Sequence, residues 1–159
     1  MKHNSVNFDK SIAMVKELYN IPGKVIGRHH SEINTIIDTW ESLSISLDDW
    51  KASVYEIGIV DYAPKNGVTG WIIDTSNSSG VFKPEVQHFR ETVARPKLVE
   101  NGVKFLFVVL PQSAISKLSA RKTARLYQGQ GALEALPVAS VEEAVDVMKA
   151  ARLSPKTHG

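Results

Sequence analysis

The residues best suited to chemistry in this sequence are the clustered hydroxyl side chains of residues 74–80, DTSNSSG, which follow an apolar run. Serine hydroxyls can carry a phosphate, and Asp74 can hold a ligand or cap the turn that follows it. Serine, asparagine and glycine are also the usual residues of an exposed turn. The segment is therefore either a phosphorylation or partner-binding loop or a polar turn, and the residue types favour the turn. The candidate loop residues are Asp74, Ser76, Ser78, Ser79 and Gly80.

A second candidate is the one concentration of basic residues in the chain. Lys117, Arg121 and Arg125 are spaced by four residues, so a helix would place them on one face. Such a face could bind an anion, an acidic partner or a nucleic-acid backbone, but no aromatic residue is interleaved to stack on bases. The pattern favours a solvated face, and a net charge of +2 does not indicate nucleic acid as a partner.

Metal and catalytic sites are not indicated by the sequence. The chain has no cysteine, and the adjacent His29 and His30 would point to opposite faces of a strand. His88 lacks an identifiable acid or nucleophile partner, and the GQG at 129–131 follows a helix where a dinucleotide fingerprint follows a strand. We therefore expect no metal, no cofactor and no enzymatic activity.

The composition is typical of a soluble, cytoplasmic globular protein. Hydrophobic residues make up 43% of the 159 residues and charged residues 23%, which is enough to build a core. The longest aliphatic and aromatic run, residues 105–110, is too short to cross a bilayer. The charges of Asp9, Lys10 and Glu17 argue against a signal peptide. We expect no membrane insertion.

Hydrophobic periodicity predicts alternating strands and helices. Residues 8–20 have helical spacing, which predicts a helical extension over residues 1–20, ahead of a single domain at 21–154 and a disordered tail at 155–159. From residue 24 the predicted order is two strands joined by a Ser-Glu turn, followed by alternating helices and strands. This order predicts an α/β fold: a mixed, largely parallel sheet with an N-terminal hairpin and helices packed on it.

Local signals predict where the helices begin. Ser46 with Asp49 and Ser140 with Glu143 have the spacing of N-terminal caps. Pro84 suits the first turn of a helix that begins at residue 83 or 84.

Two apolar helix faces and one apolar strand complete the prediction. The first domain helix should turn Leu47, Trp50, Val54 and Ile57 inward, and the second should turn Val86, Phe89 and Val93 inward. Pro96 should interrupt or kink the second helix because it lacks a backbone donor. Residues 103–110 are apolar on both faces, which predicts a central strand.

Three stretches resemble the STAS-like fold of bacterial anti-sigma factor antagonists and their relatives: INTIIDTWESLSISLDDWK, GWIIDTSNSSG and LVENGVKFLFVVLP. The resemblance spans about residues 24–152 and is closest to uncharacterised bacterial members with a hairpin start and a final helix like SVEEAVDVM. It implies a non-enzymatic cytoplasmic regulatory domain that binds a protein partner in a bacterial signalling circuit. A homodimer is left open.

The resemblance also gives the serine loop a role. In the antagonist proteins, an Asp-Ser-Ser-Gly turn carries a serine that a partner kinase phosphorylates. Ser78, Ser79 and Gly80 match that turn, whereas Asn77 stands where the family has aspartate.

The alternative function is a small-molecule or lipid-binding domain with a groove between helices and sheet. Trp50, Ile57 and Phe89 would then line the groove and be incompletely packed against one another. Trp40 and Trp71, on predicted strands, suit the core or the rim of such a groove.

Overall fold

The computed structural model describes residues 14–115 and 133–153. These residues form a six-stranded sheet in which spatial order follows chain order. The strands are β1 (Val15–Ile21), β2 (Val25–His30), β3 (Thr35–Trp40), β4 (Gly70–Asp74), β5 (Phe105–Val109) and β6 (Leu136–Val138). β1, β2 and β3 pair antiparallel, and β3 to β6 pair in parallel.

Helices occupy the connections between the parallel strands and the chain beyond the last strand. α1 covers residues 47–66 as Leu47–Trp50, Lys51–Tyr62 and Ala63–Asn66, and α2 covers residues 84–100 as Pro84–Phe89, Arg90–Ala94 and Arg95–Glu100. α3 is Gln112–Ile115 and α4 is Val141–Leu153. α1 and α2 supply the crossovers that parallel neighbours require. The predicted α/β fold, with its mixed sheet and N-terminal hairpin, is confirmed.

The prediction of a helix over residues 8–20 is wrong for the part that the structure describes. Val15–Ile21 is a strand that pairs with β2, and Gly23 at a φ of 77° forms the turn between them. Pairing with β2 satisfies the backbone donors and acceptors of this segment, and Tyr19 becomes buried, so tertiary context overrides the helical spacing. Residues 1–13 and the predicted tail at 155–159 lie outside the described residues.

The predicted hairpin between β2 and β3 is confirmed with a longer turn. Four residues, 31–34, separate the strands where two were expected. Asn34 has a φ of 49°, and its backbone amide donates to the backbone carbonyl of Ser31 at 3.2 Å. Asparagine tolerates this left-handed conformation better than most residues, which explains where the turn closes.

The sheet buries apolar side chains on both faces. One cluster joins Ile36, Trp71 and Leu106 to α1 and α2. The other joins Ile72 and Phe107 to α4. β5 contributes to both clusters and lies between β4 and β6, so the prediction of an interior strand that is apolar on both faces is confirmed.

The inward face of α1 differs from the predicted one in its second half. Trp50 and Val54 are buried as expected, but Ile57 is 41% exposed while Ile59 is 2% exposed and Ala63 is fully buried. Lys51–Tyr62 has π-type hydrogen bonds from i to i+5, which place more residues in each turn than the 3.6 of an α-helix. The inward residues are therefore separated by four, five and four positions; they are Trp50, Val54, Ile59 and Ala63.

The same bonding occurs in α2. Val86 is buried as predicted and Phe89 is partly buried, but Val93 is 39% exposed and Ala94 takes its place inside. Arg90–Ala94 is π-helical and directly precedes the turn that contains Pro96. The predicted interruption at Pro96 is therefore a change from α- to π-type hydrogen bonds just before this residue, which lacks an N–H.

The helix ends follow the local signals. Ser46 Oγ accepts from the Asp49 amide at 3.1 Å, and Ser140 Oγ accepts from the Glu143 amide at 3.0 Å. α2 begins at Pro84, as predicted. Within the described residues, no helix has the length and apolarity needed to cross a membrane.

Candidate functional site

The hydroxyl-rich loop after β4 is an ordered turn. Asp74 Oδ1 accepts from the amide of Ser76 at 3.1 Å and from its hydroxyl at 2.7 Å. The hydroxyl of Ser78 donates to the carbonyl of Thr75 at 2.9 Å. Asp74 therefore acts as the cap of the turn, which is the simpler of its two predicted roles.

Backbone hydrogen bonds tie this loop to the segment that follows β3. The amide of Ser79 donates to the carbonyl of Glu41 at 3.1 Å, and the amide of Leu43 donates to the carbonyl of Ser79 at 2.8 Å. Gly80 has a φ of 77°, which favours glycine. The three serines thus lie in a fixed loop ahead of Pro84, where α2 begins.

The histidines do not come together. His29 is buried, with Nδ1 2.7 Å from the Tyr62 hydroxyl and Nε2 2.9 Å from Asn34 Oδ1. His30 is half-buried on the other side of the strand, and burial, helped by the charge of Arg28, lowers its pKa. His88 is exposed on α2. In the described part of the chain, no three acidic or histidine side chains are grouped so that they could hold a metal.

The predicted basic face of Lys117, Arg121 and Arg125 lies outside the described residues.

A cavity lies between the sheet and the two helices α1 and α2, where the alternative function places its groove. Its enclosed volume is about 40 Å³. Its wall combines aromatic with polar side chains; those used below are Asp38, Trp40, Trp50, Trp71, Phe82 and Arg90.

Two of these side chains present buried donors that lack a protein acceptor. Trp40 is 3% exposed and Trp50 is 4% exposed, and among the described residues no group accepts a hydrogen bond from either indole Nε1. The third indole is satisfied, because Trp71 Nε1 donates to Asp38 Oδ2 at 2.8 Å. An unsatisfied buried donor is unfavourable by about 1–3 kcal/mol. Two residues of the cavity wall thus carry a buried indole N–H that has no acceptor among the described residues.

Asp38 is the buried carboxyl of the cavity. Its Oδ1 accepts from the hydroxyl of Tyr19, its Oδ2 accepts from Trp71, and its residue exposure is 2%. Burial raises the pKa of Asp38 to about 6, although the two hydrogen bonds and the charge of Arg90 act in the opposite direction. Burial, with the nearby Asp38, also raises the pKa of Tyr19 well above its usual value.

Arg90 supplies a positive charge to the same wall. Its guanidinium lies 4.3 Å from the centre of the Phe82 ring, and its Nη1 donates to Gln87 Oε1 at 2.8 Å. The salt bridges of the described residues do not include Arg90. Burial, with Arg95 nearby, lowers the pKa of Arg90 to about 10, so the group stays charged at neutral pH.

Strand alternation and two glycines position these groups. Asp38 and Trp40 lie on the same face of β3, and Trp71 lies on that face of β4. A Cβ on Gly27 would lie 2.2 Å from Tyr19 Cζ, and one on Gly58 would lie 3.0 Å from Trp71 Cη2. Because Gly27 and Gly58 have no side chain, they leave room for Tyr19 and Trp71, which donate hydrogen bonds to Asp38.

The predicted groove residues only partly line this cavity. Trp50 does, but Ile57 points to solvent because of the π-helical register, so its assignment to the groove is wrong. Phe89 packs edge-on against Trp50 and Tyr55, with ring centres 6.0 and 5.0 Å apart. A signal for Asp38 was present in the sequence. Ile36 and Trp40 are apolar and lie two residues before and after Asp38. Residues two apart in a strand share one face, so Asp38 must share the buried face of these neighbours.

Comparisons with known proteins found no matching family model, no matching curated protein and no matching solved structure.

Proposed function

We propose that this protein is a small-molecule-binding domain and that the cavity between the sheet, α1 and α2 is its binding site. The observation that carries the proposal is a pair of buried indole donors, Trp40 Nε1 and Trp50 Nε1, which belong to one cavity wall and have no acceptor among the described residues. More than nine in ten buried polar groups in proteins have a partner in the protein or in ordered water. Two donors of one cavity wall without an acceptor in the described part of the chain support a ligand atom as their partner.

The cavity is small beside the usual range of ligand pockets, about 300–1,000 Å³. The enclosed part, about 40 Å³, has room for water but little else. Binding of a larger molecule therefore requires an outward movement of a wall side chain, and Phe82, which is half-buried just before α2, is placed to make it.

Native mass spectrometry of the purified protein tests this function. A retained small molecule, released on denaturation, is the expected result. Ala94→Leu should reduce its occupancy, because Ala94 is 3% exposed and lines the cavity. The matched control is Val93→Leu, at a neighbouring site that is 39% exposed. A protein that carries no ligand from its native cell and binds none from a metabolite library would overturn the proposal.

A second candidate is the regulatory, partner-binding domain that the STAS-like resemblance implies. Two features of the loop favour it: Val81 is 76% exposed beside the serines, and Asn77 lines a surface groove together with Lys24 and Glu41. Phosphate on Ser76, Ser78 or Ser79 in protein from the native cell would support this candidate. Its absence under all growth conditions, with an unchanged phenotype for a Ser78→Ala and Ser79→Ala double variant, would count against it.

A further inference from the structure

We infer that the ligand of the cavity is a carboxylic acid, bound as its monoanion, with an apolar body. This inference rests on the proposed function and adds the chemical class of the ligand. It follows from three properties of the cavity: the donors that lack acceptors, the balance of charge, and the apolar remainder of the wall.

Among the described residues, the unsatisfied buried side-chain groups of the cavity wall are the indole donors of Trp40 and Trp50, and Arg90 adds further N–H donors beside its bond to Gln87. An indole Nε1 can only donate, and a guanidinium has five N–H donors and no acceptor. In the part of the chain that the structure describes, Asp38 is the acidic side chain on the wall, and its two oxygens already accept hydrogen bonds from Tyr19 and Trp71. The complement to Trp40, Trp50 and Arg90 is therefore a group with at least two acceptor oxygens.

Charge narrows the choice among such groups. Among the described residues, Arg90 and Arg95 line the cavity with two positive charges, and Asp38 brings one titratable negative charge. A single negative charge on the ligand balances this set, whereas a phosphate dianion would add repulsion from Asp38 in a poorly solvated site. A planar carboxylate also matches the two-pronged geometry of a guanidinium.

The rest of the wall determines the body of the ligand. Val54, Ile59, Ile73, Leu98 and Leu106 contribute side chains that cannot form hydrogen bonds. A polar body would lose its hydration there without replacement. An aliphatic or aromatic group of moderate size fits this surface.

The test compares acids with neutral molecules of the same shape. Calorimetry would measure 3-phenylpropanoate against 3-phenylpropanamide, and octanoate against octanamide, on the full chain. We expect at least one acid to bind at least 10-fold more tightly than its amide. The aromatic and aliphatic pairs distinguish the two kinds of body.

Two variants test the role assigned to Arg90. Arg90→Met should reduce the preference for acid over amide by at least 10-fold, and Arg90→Lys should retain part of it. Lys97→Met is the matched control: Lys97 is on the same helix, pairs with Glu100 and is not on the cavity wall, so it should leave the preference unchanged. Circular dichroism and thermal melting would verify that each variant is folded.

The outcomes separate the inference from the proposed function. Amides that bind as well as the acids would overturn the inference of a carboxylate ligand, and so would a preference for acid over amide that Arg90→Met does not change. Either result would leave the proposed binding site standing. If no probe binds, the retained ligand from native mass spectrometry decides: addition of one methyl group on esterification supports the inference, and no addition overturns it. If no probe binds, no ligand is retained and none binds from the metabolite library, both the inference and the proposed function are wrong.

Discussion

The pKa of Asp38 depends strongly on the groups that surround this residue in the fold. The pKa of Asp38 is raised to about 6 from 3.8, mainly by burial, and the groups around it are Tyr19, Trp71 and Arg90. A raised pKa means that the folded protein binds this proton more tightly than the unfolded chain does. The protonated carboxyl therefore favours folding at low pH, and this contribution is lost as the pH rises through about 6.

We expect Asp38→Asn to remove this pH dependence. Wild type should lose on the order of 2 kcal/mol of unfolding free energy from this group between pH 4 and pH 7, and the variant should lose correspondingly less. Urea unfolding of both proteins at the two pH values measures the difference, in which the other titrating groups cancel. Equal losses in the two proteins would show that Asp38 titrates normally.

Gly27 offers a second test at the residue scale. A Cβ at this position would overlap the ring of Tyr19, so Gly27→Ala must displace that ring and weaken its hydrogen bond to Asp38. We expect a loss of about 1–3 kcal/mol in unfolding free energy, measured by urea titration.

A double-mutant cycle supplies the control for Gly27. In a Tyr19→Leu background the ring is gone, and Gly27→Ala should be much less destabilising. The same loss in both backgrounds would locate the effect in the strand backbone.

The residues of the site were predictable only in part. The turn role of Asp74 follows from local chemistry and was foreseen. Trp40 and Trp50 were recognised as core or groove residues, but the missing acceptors of their indoles arise from the packing of α1 and α2 on β3. No local pattern reports such a relation between distant segments.

At the scale of elements, signals that act over a few residues were reliable. The caps at Ser46 and Ser140 and the start of α2 at Pro84 are settled by neighbouring residues, and they were predicted correctly. β1 was not predicted correctly, because Val15–Ile21 becomes a strand through its pairing with β2. The π-helical register was missed for a related reason: the prediction assumed 3.6 residues per turn throughout.

The register of α1 gives the prediction that belongs to this scale. Ile59→Ala should lower the unfolding free energy by about 2–5 kcal/mol, because Ile59 is 2% exposed in the core. Ile57→Ala, the same substitution two residues earlier at a 41% exposed site, should change it by less than about 0.5 kcal/mol. Chemical denaturation measures both. The reverse order would mean that α1 keeps ordinary α-helical spacing, which would turn Ile57 inward.

At the scale of the whole molecule, the order of strands and helices followed from the alternation of apolar segments. Sequential parallel strands with helical crossovers are the simplest arrangement for such a chain, and the doubly apolar β5 had to lie inside the sheet. A groove between helices and sheet was the alternative prediction, but its lining could not be foreseen, since it depends on how the π-helical segments of α1 and α2 pack on β3 and β4.

This architecture predicts a gradient of local stability across the sheet, which hydrogen exchange can measure. β4 and β5 have a strand on each side and contain Ile72 and Phe107, which are fully buried, so their amides should exchange only through global unfolding. β1 and β6 end the row of described strands; β1 carries three exposed residues at its start, and β6 spans three residues. Their amides should exchange through smaller openings with little dependence on denaturant. Protection of β1 equal to that of β4 would contradict the gradient and would mean that the antiparallel hairpin unfolds together with the parallel core as one cooperative unit.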